Sequence, residues 1–186
     1  MYGAEYHQKI IMAAAQIIVD EGLSHLSLRA VAARAGVSTT VIYSLVGKRD
    51  DLLRAVSIEA RNSFVRAQRE VEVSEDAVAD LKELGRAYYG WALGNPALYG
   101  VMFGGHFKSQ EADREPIEPL ATAVQRLQIQ GKLKAPDSWQ VVWALWAAVH
   151  GAALLGITDC QFGDQGQELE KFEVLLEGIV RGLVKT

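Results

Sequence analysis

The 186 residues contain one cysteine, Cys160. That excludes an internal disulfide and fits a reducing, cytoplasmic setting. With no second thiol and nothing basic adjoining it, Cys160 gives little support to a redox sensor. Long apolar runs are also missing. The most extended, WALWAAVHGAALLGI at 143–157, is shorter than the ~20 residues a membrane span needs and carries His150. No basic-then-apolar stretch opens the chain, because Glu5, His7, Gln8 and Lys9 interrupt the first turns, so neither a signal peptide nor a membrane partner is expected. There is no strong strand or hairpin signal, no internal repeat and no low-complexity tract. His106, His150, Asp159 and Cys160 lack HxxxH or CxxC spacing, which argues against a metal. The carboxylates fall on polar loops or helix faces, with no phosphate-cradling glycine loop and no nucleophile elbow. No enzyme activity and no cofactor are expected.

What is present is a globular composition, 49% hydrophobic and 23% charged, in a chain long enough for one generous domain or two small ones. The net charge of −4 hides an asymmetry. Residues 1–70 hold nine Lys or Arg against seven Asp or Glu, whereas residues 71–186 hold ten against sixteen. Between Gly22 and Arg49 there is no acidic residue, while Arg29, Arg34, Lys48 and Arg49 add positive charge. A local basic patch on an acidic body suits a small DNA-reading module on a larger domain, although a solvated helix face has the same composition.

The apolar period is helical throughout. Ile10, Ala14, Ile17 and Ile18 predict an amphipathic helix from about Glu5 to Glu21, ending at Gly22. Ser27 can cap a second helix with Leu28, Val31 and Ala32 on its buried stripe and Gly36 just past its end. Ser38 opens a short third helix, with Val41, Ile42 and Leu45 inward. Asp50 and Asp51 begin a long fourth, reaching about Val71, where negative charge suits the macrodipole. Ser74, Glu75 and Asp76 mark a fresh start. Helices then follow to Gly94, over Pro96–Phe103, and over roughly Pro116–Gln130, Pro136–Ile157 and Gln167–Val184. The expected fold is all-α with about nine helices. Its division is a helix-turn-helix domain at 1–48, a connecting helix at 49–72 and a second helical domain at 73–186.

The stretch AGVSTTVIYSLVGKRDDLL at 35–53 carries the chemistry. Gly36 supplies the positive φ of a sharp turn, Val37 packs beneath it, and Ser38 caps the helix that follows. That helix presents Thr39, Thr40, Tyr43 and Ser44, where a recognition helix meets base edges. Lys48 adds charge, and Arg49 stands at the start of the next helix, where its guanidinium and the free N–H groups can grip a phosphate. The recognition helix has no Arg, Asn or Gln for bidentate base contacts, so hydroxyls, threonine methyls, two-fold symmetry and DNA shape must supply discrimination.

AAAQIIVDEG, LSLRAVAARAGVS, Tyr43 and GKRDDLL together make residues 10–53 resemble the DNA-binding domain of the TetR family of bacterial transcriptional regulators. The resemblance implies a homodimer that binds double-stranded operator DNA, with a helical C-terminal domain and repression relieved by a small molecule. By position it implies Arg29, Ser38, Thr39, Thr40, Tyr43 and Arg49 as DNA contacts. The family commonly has His then Phe after the tyrosine pair, whereas this chain has Leu45 and Val46, which removes one frequent phosphate contact. NPALYGVMF at 95–103 and WAAVHG at 146–151 resemble the WHG subgroup of TetR C-terminal domains.

All four tryptophans, Trp91, Trp139, Trp143 and Trp146, lie after residue 90. An apolar effector pocket would draw on Tyr88, Trp91, Tyr99, Met102, Phe103, Phe107, Trp143, Trp146 and His150, with an ordinary aromatic core as the plain alternative. His150, four residues after Trp146, reads first as a satisfied core histidine and second as a polar anchor for ligand. An all-helical ligand-binding protein or enzyme using that cavity is the alternative class. Gly178 and Gly182, four apart, would let helices approach closely. With Leu175 and Ile179 they make a candidate dimer face, whose counterpart is Ala147, Gly151, Leu154 and Leu155.

Overall fold

A computed structural model describes residues 2–104, 114–135, 137–158 and 167–185. Nine α-helices occur among them: α1 (Tyr2–Glu21), α2 (Leu28–Ala35), α3 (Thr39–Leu45), α4 (Arg49–Arg69), α5 (Ala77–Gly94), α6 (Pro96–Phe103), α7 (Glu118–Ile129), α8 (Ser138–Ile157) and α9 (Glu168–Leu183). Short 3-10 turns cover Leu23–His25 and Glu115–Ile117. Extended pairing among the described residues is limited to one bridge, Leu133 with Val184, flanked by bonds from Lys134 N to Leu183 O and Lys185 N to Lys132 O.

The chain forms two compact units, residues 1–63 with 95–112, and residues 64–94 with 113–186. In the first, Ile10, Ile11, Ala14, Ile17 and Ile18 of α1 are fully buried, as are Val31 of α2, Ile42 of α3, and Leu52 and Val56 of α4. Burial of such side chains, roughly 25 cal/mol per Å² of apolar surface, is the main force holding short helices that would not persist alone. The expected boundary needs one revision. Residues 95–103 fall inside the proposed 73–186 domain, yet α6 packs on α1 in the first unit. Gly100 permits this approach, since a Cβ there would stand 2.7 Å from Val19 Cγ2.

The second unit is built on α5, α7, α8 and α9 with the end of α4. Phe64, Val124, Leu127, Val141 and Phe172 are buried in its core, and the Tyr89 and Phe172 rings stack 4.0 Å apart. Arg86 of α5 donates two 2.7 Å bonds to the Glu173 carboxylate of α9. In the first turn of α5, the buried Asp80 carboxylate accepts from the Ser74 hydroxyl, Ser74 N and Arg126 Nη1, which hold it below the usual carboxylate range. Asp80→Ala removes all three bonds and leaves Arg126 with the Ser74 carbonyl alone. It is expected to cost about 2–3 kcal/mol in urea unfolding.

α8 is 20 residues long and its most apolar 18 residues have a mean hydropathy of 1.6, so by length and composition it is apolar enough to cross a membrane. The apolar run at 143–157 is shorter than the helix that carries it, which starts at Ser138, close to the expected Pro136. Asp137 makes that possible by accepting from Trp139 N as the cap. The helix nevertheless packs against α5, α7 and α9.

Candidate nucleic-acid interface and ligand cavity

Local chemistry builds the helix-turn-helix as its sequence suggests. Ser27 Oγ accepts from Ala30 N and caps α2, and Ser38 Oγ accepts from Val41 N and caps α3. Between them Gly36 has φ 67°, a left-handed conformation that costs a Cβ-bearing residue about 1–2 kcal/mol. Val37 is half-buried, and its N–H reaches Ala32 O. On α3, Ile42 is buried with Val41 and Leu45 half-buried beside it, so the helical period turns Thr39, Thr40, Tyr43 and Ser44 to the opposite side. Tyr43 is 58% exposed. Arg29 and Lys48 are exposed as well.

Two of the four cations in the acid-free stretch are otherwise engaged. Arg34 pairs with Asp20 at 3.1 Å and Glu21 at 2.7 Å, which neutralises it from α1. Arg49 donates from Nε to Leu26 O and from Nη2 to Leu23 O, tying the start of α4 to the α1–α2 connection. A fixed structural task for Arg49 was not evident from its place beside the α4 N-terminus. Gly47, at φ 115°, and Asp51, whose carboxylate accepts from Lys48 N, complete this corner. The Lys48 amide, followed by Arg54, holds the Asp51 carboxyl below its ordinary range.

In the second unit, an aromatic cluster forms around Phe64, a residue of α4 that the pocket reading omitted. Its ring centroid lies 5.0 Å from Tyr88, 5.0 Å from Trp91 and 6.2 Å from Trp146, each edge-on. Tyr88 Oη and His150 Nδ1 share a 2.8 Å hydrogen bond. Burial pushes the His150 imidazole below its usual range. The unfolded chain takes up this proton near pH 6.5 and the folded chain only at lower pH, so stability is expected to fall as pH drops below about 6.5. Urea midpoints at pH 7 and 5.5 check this, and His150→Gln should flatten the difference.

Between Gln68, Leu84, Tyr88, Leu145, Trp146 and Val149 lies a partly open space of only about 30 Å³. The cluster is thus close to a packed core. Trp143, assigned to the pocket, is 73% exposed instead and shares the outer side of α8 with Trp139, Leu154 and Leu155. Because α8 is apolar around most of its circumference, its sequence gives no contrast to show which side faces in. Tyr99, Met102 and Phe103 are on α6 and belong to the first unit, where Tyr99 is buried and its ring lies 4.9 Å from that of Phe103. Phe107, His106, Asp159 and Cys160 lie outside the described residues. Among those that are described, no three His, Cys, Asp or Glu side chains gather at one point.

Two family profiles match, one for bacterial regulatory proteins of the tetR family over residues 10–56 and one for the tetracyclin repressor-like C-terminal domain over residues 81–179. The chain belongs to the TetR family, a family of transcription regulators and not of enzymes. It is 29% identical over 119 residues to the HTH-type transcriptional regulator Rv1816 of Mycobacterium tuberculosis, a match covering 62% of this chain and 51% of that protein. The chain thus spans about half the length of the curated relatives it matches. Among solved structures, a TetR-like regulator from Rhodococcus sp. RHA1 superposes with a TM-score of 0.75 at 20% identity, over 96% of each chain. A TetR-family regulator from Haemophilus influenzae does so with 0.75 at 15% identity, over 100% of each. At those identities the likeness is one of fold.

Proposed function

We propose that the chain is a sequence-specific regulator of transcription that binds operator DNA as a homodimer and is a repressor released by a small, largely apolar effector. The observation that carries this reading is the capped α2–Gly36–α3 turn, with Thr39, Thr40, Tyr43 and Ser44 on the side of α3 away from Ile42. Arg29 and Lys48 supply phosphate contacts, and at Arg49 a phosphate would compete with the Asp50 carboxylate, 3.9 Å from Nη1, since Nε and Nη2 are held by Leu26 O and Leu23 O. Ser38 stays with its cap, where its own N–H can also meet a phosphate. Enrichment from random duplexes tests the reading. An inverted repeat should emerge, because two heads read two related half-sites. Failure to enrich any sequence over many rounds would count against it.

Dimerisation is proposed through α8 and α9. On α8 the stripe Trp143, Ala147, Gly151, Leu154 and Leu155 is exposed or half-exposed, and only 28% of the helix's most apolar window is buried. On α9, Leu175, Gly178, Ile179 and Gly182 make a matching stripe, exposed apart from half-buried Ile179. Apolar surface of this extent is usual at contacts between protein chains.

A further inference from the structure

Gln68, on α4, is 5% exposed, and its Nε2 has no hydrogen-bond partner. An unmet buried donor is unfavourable, and a partner supplied from outside the chain is one way to meet it. Gln68 and Leu84 form the wall between two spaces, the 30 Å³ cavity against Tyr88 and Trp146, and a more open cleft of about 350 Å³. The cleft is floored by Val71, Leu84, Pro119 and Ala123 and falls within the size range of small-molecule sites. One water would fill the inner cavity, yet it needs two to four polar partners. The Leu120, Leu145 and Val149 side chains give it none, and the Tyr88 hydroxyl is engaged with His150.

We propose that this cleft takes a neutral, mainly apolar molecule whose single carbonyl-type oxygen accepts from Gln68 Nε2, with a short apolar end passing toward Trp146. The charges around the cleft select against an anion. Arg126 is held by Asp80 and the Ser74 carbonyl and Arg69 by Glu115, while Glu72 and Glu118 add further negative charge at the rim. This rests on the effector reading above and names the chemistry of that effector.

The test titrates 2-octanone, octanoate and octane against the full chain and Gln68→Leu, by calorimetry and tryptophan fluorescence without DNA. The parent should bind 2-octanone about tenfold more tightly than octane, the worth of one good hydrogen bond, and more tightly than octanoate. Gln68→Leu should abolish the ketone's advantage while octane binds equally or better. Its thermal midpoint should hold or rise, since no native hydrogen bond is lost. Equal ketone and octane binding in the parent, preference for octanoate, absence of binding by all three, or an unfolded Gln68→Leu would each overturn the proposal. Operator affinity is measured separately. Ketone binding that depends on Gln68 but leaves DNA affinity unchanged upholds this site and instead refutes its role as the effector switch.

Discussion

Gly178→Leu is expected to sediment as a monomer at concentrations where the parent chain is a dimer, with association weakened roughly hundredfold or more. The argument rests on what the substitution does not do. A Cβ built at Gly151, Gly178 or Gly182 meets nothing within 4 Å in its own chain. Gly178 is also exposed, so a leucine there starts from open space in the protomer. Leucine is also a better helix former than glycine by about 0.5–1 kcal/mol, so the folded monomer should gain stability. Association and protomer stability should thus move in opposite directions, which no general folding defect produces. Trp143→Glu provides a second probe on α8, since its ring is 73% exposed and a charge there is solvated in the monomer. Velocity sedimentation with thermal melting at matched concentrations checks both. Dimers of unchanged affinity for the two variants would place the partner surface elsewhere.

Tyr43→Ala combined with Lys48→Glu is expected to reduce operator affinity by roughly a hundredfold or more at moderate salt. The two changes act differently. Lys48→Glu removes a cation and adds an anion, so it should weaken selected and random duplexes alike and lower the salt slope by about one. Tyr43→Ala removes an exposed ring from α3 and should weaken the selected duplex more than random DNA. Arg49 is a poor probe here. Losing its bonds to Leu23 O and Leu26 O should cost the first unit about 1–2 kcal/mol and blur any effect on DNA. Binding isotherms at three salt concentrations for parent and variants, on selected and scrambled duplexes, separate these contributions.

The helix-turn-helix was legible in the sequence because its determinants are local. A serine three residues before the amide it caps, and a glycine where φ must be positive, can be read from adjacent letters. Most other helix limits followed for the same reason, from apolar period and stop residues. What escaped reading depends on partners far along the chain. Arg34 looked like DNA-facing charge until Asp20 and Glu21, on the preceding helix, took it up. Nothing in NPALYGVMF indicates that α6 packs on α1, since apolar residues around its whole circumference allow burial against any neighbour. The same uniformity on α8 hid the outward direction of Trp143. Gln68 escaped for the opposite reason, because a polar residue among Arg66, Arg69 and Glu70 reads as solvated surface, although the fold buries it.

The central claim is that α2 and α3, with Lys48, form a head that reads DNA sequence. It is tested most directly by titrating the enriched inverted repeat, and a scrambled duplex of equal length, with the parent chain and with Thr39→Ala/Thr40→Ala/Tyr43→Ala. None of the three side chains is fully buried, so the variant should fold as the parent does, as circular dichroism will report. The account predicts that the parent prefers the repeat by ~10³-fold or more and that the variant loses most of that preference while keeping salt-dependent affinity for both duplexes. A folded variant that still discriminates between the two duplexes as well as the parent would contradict it.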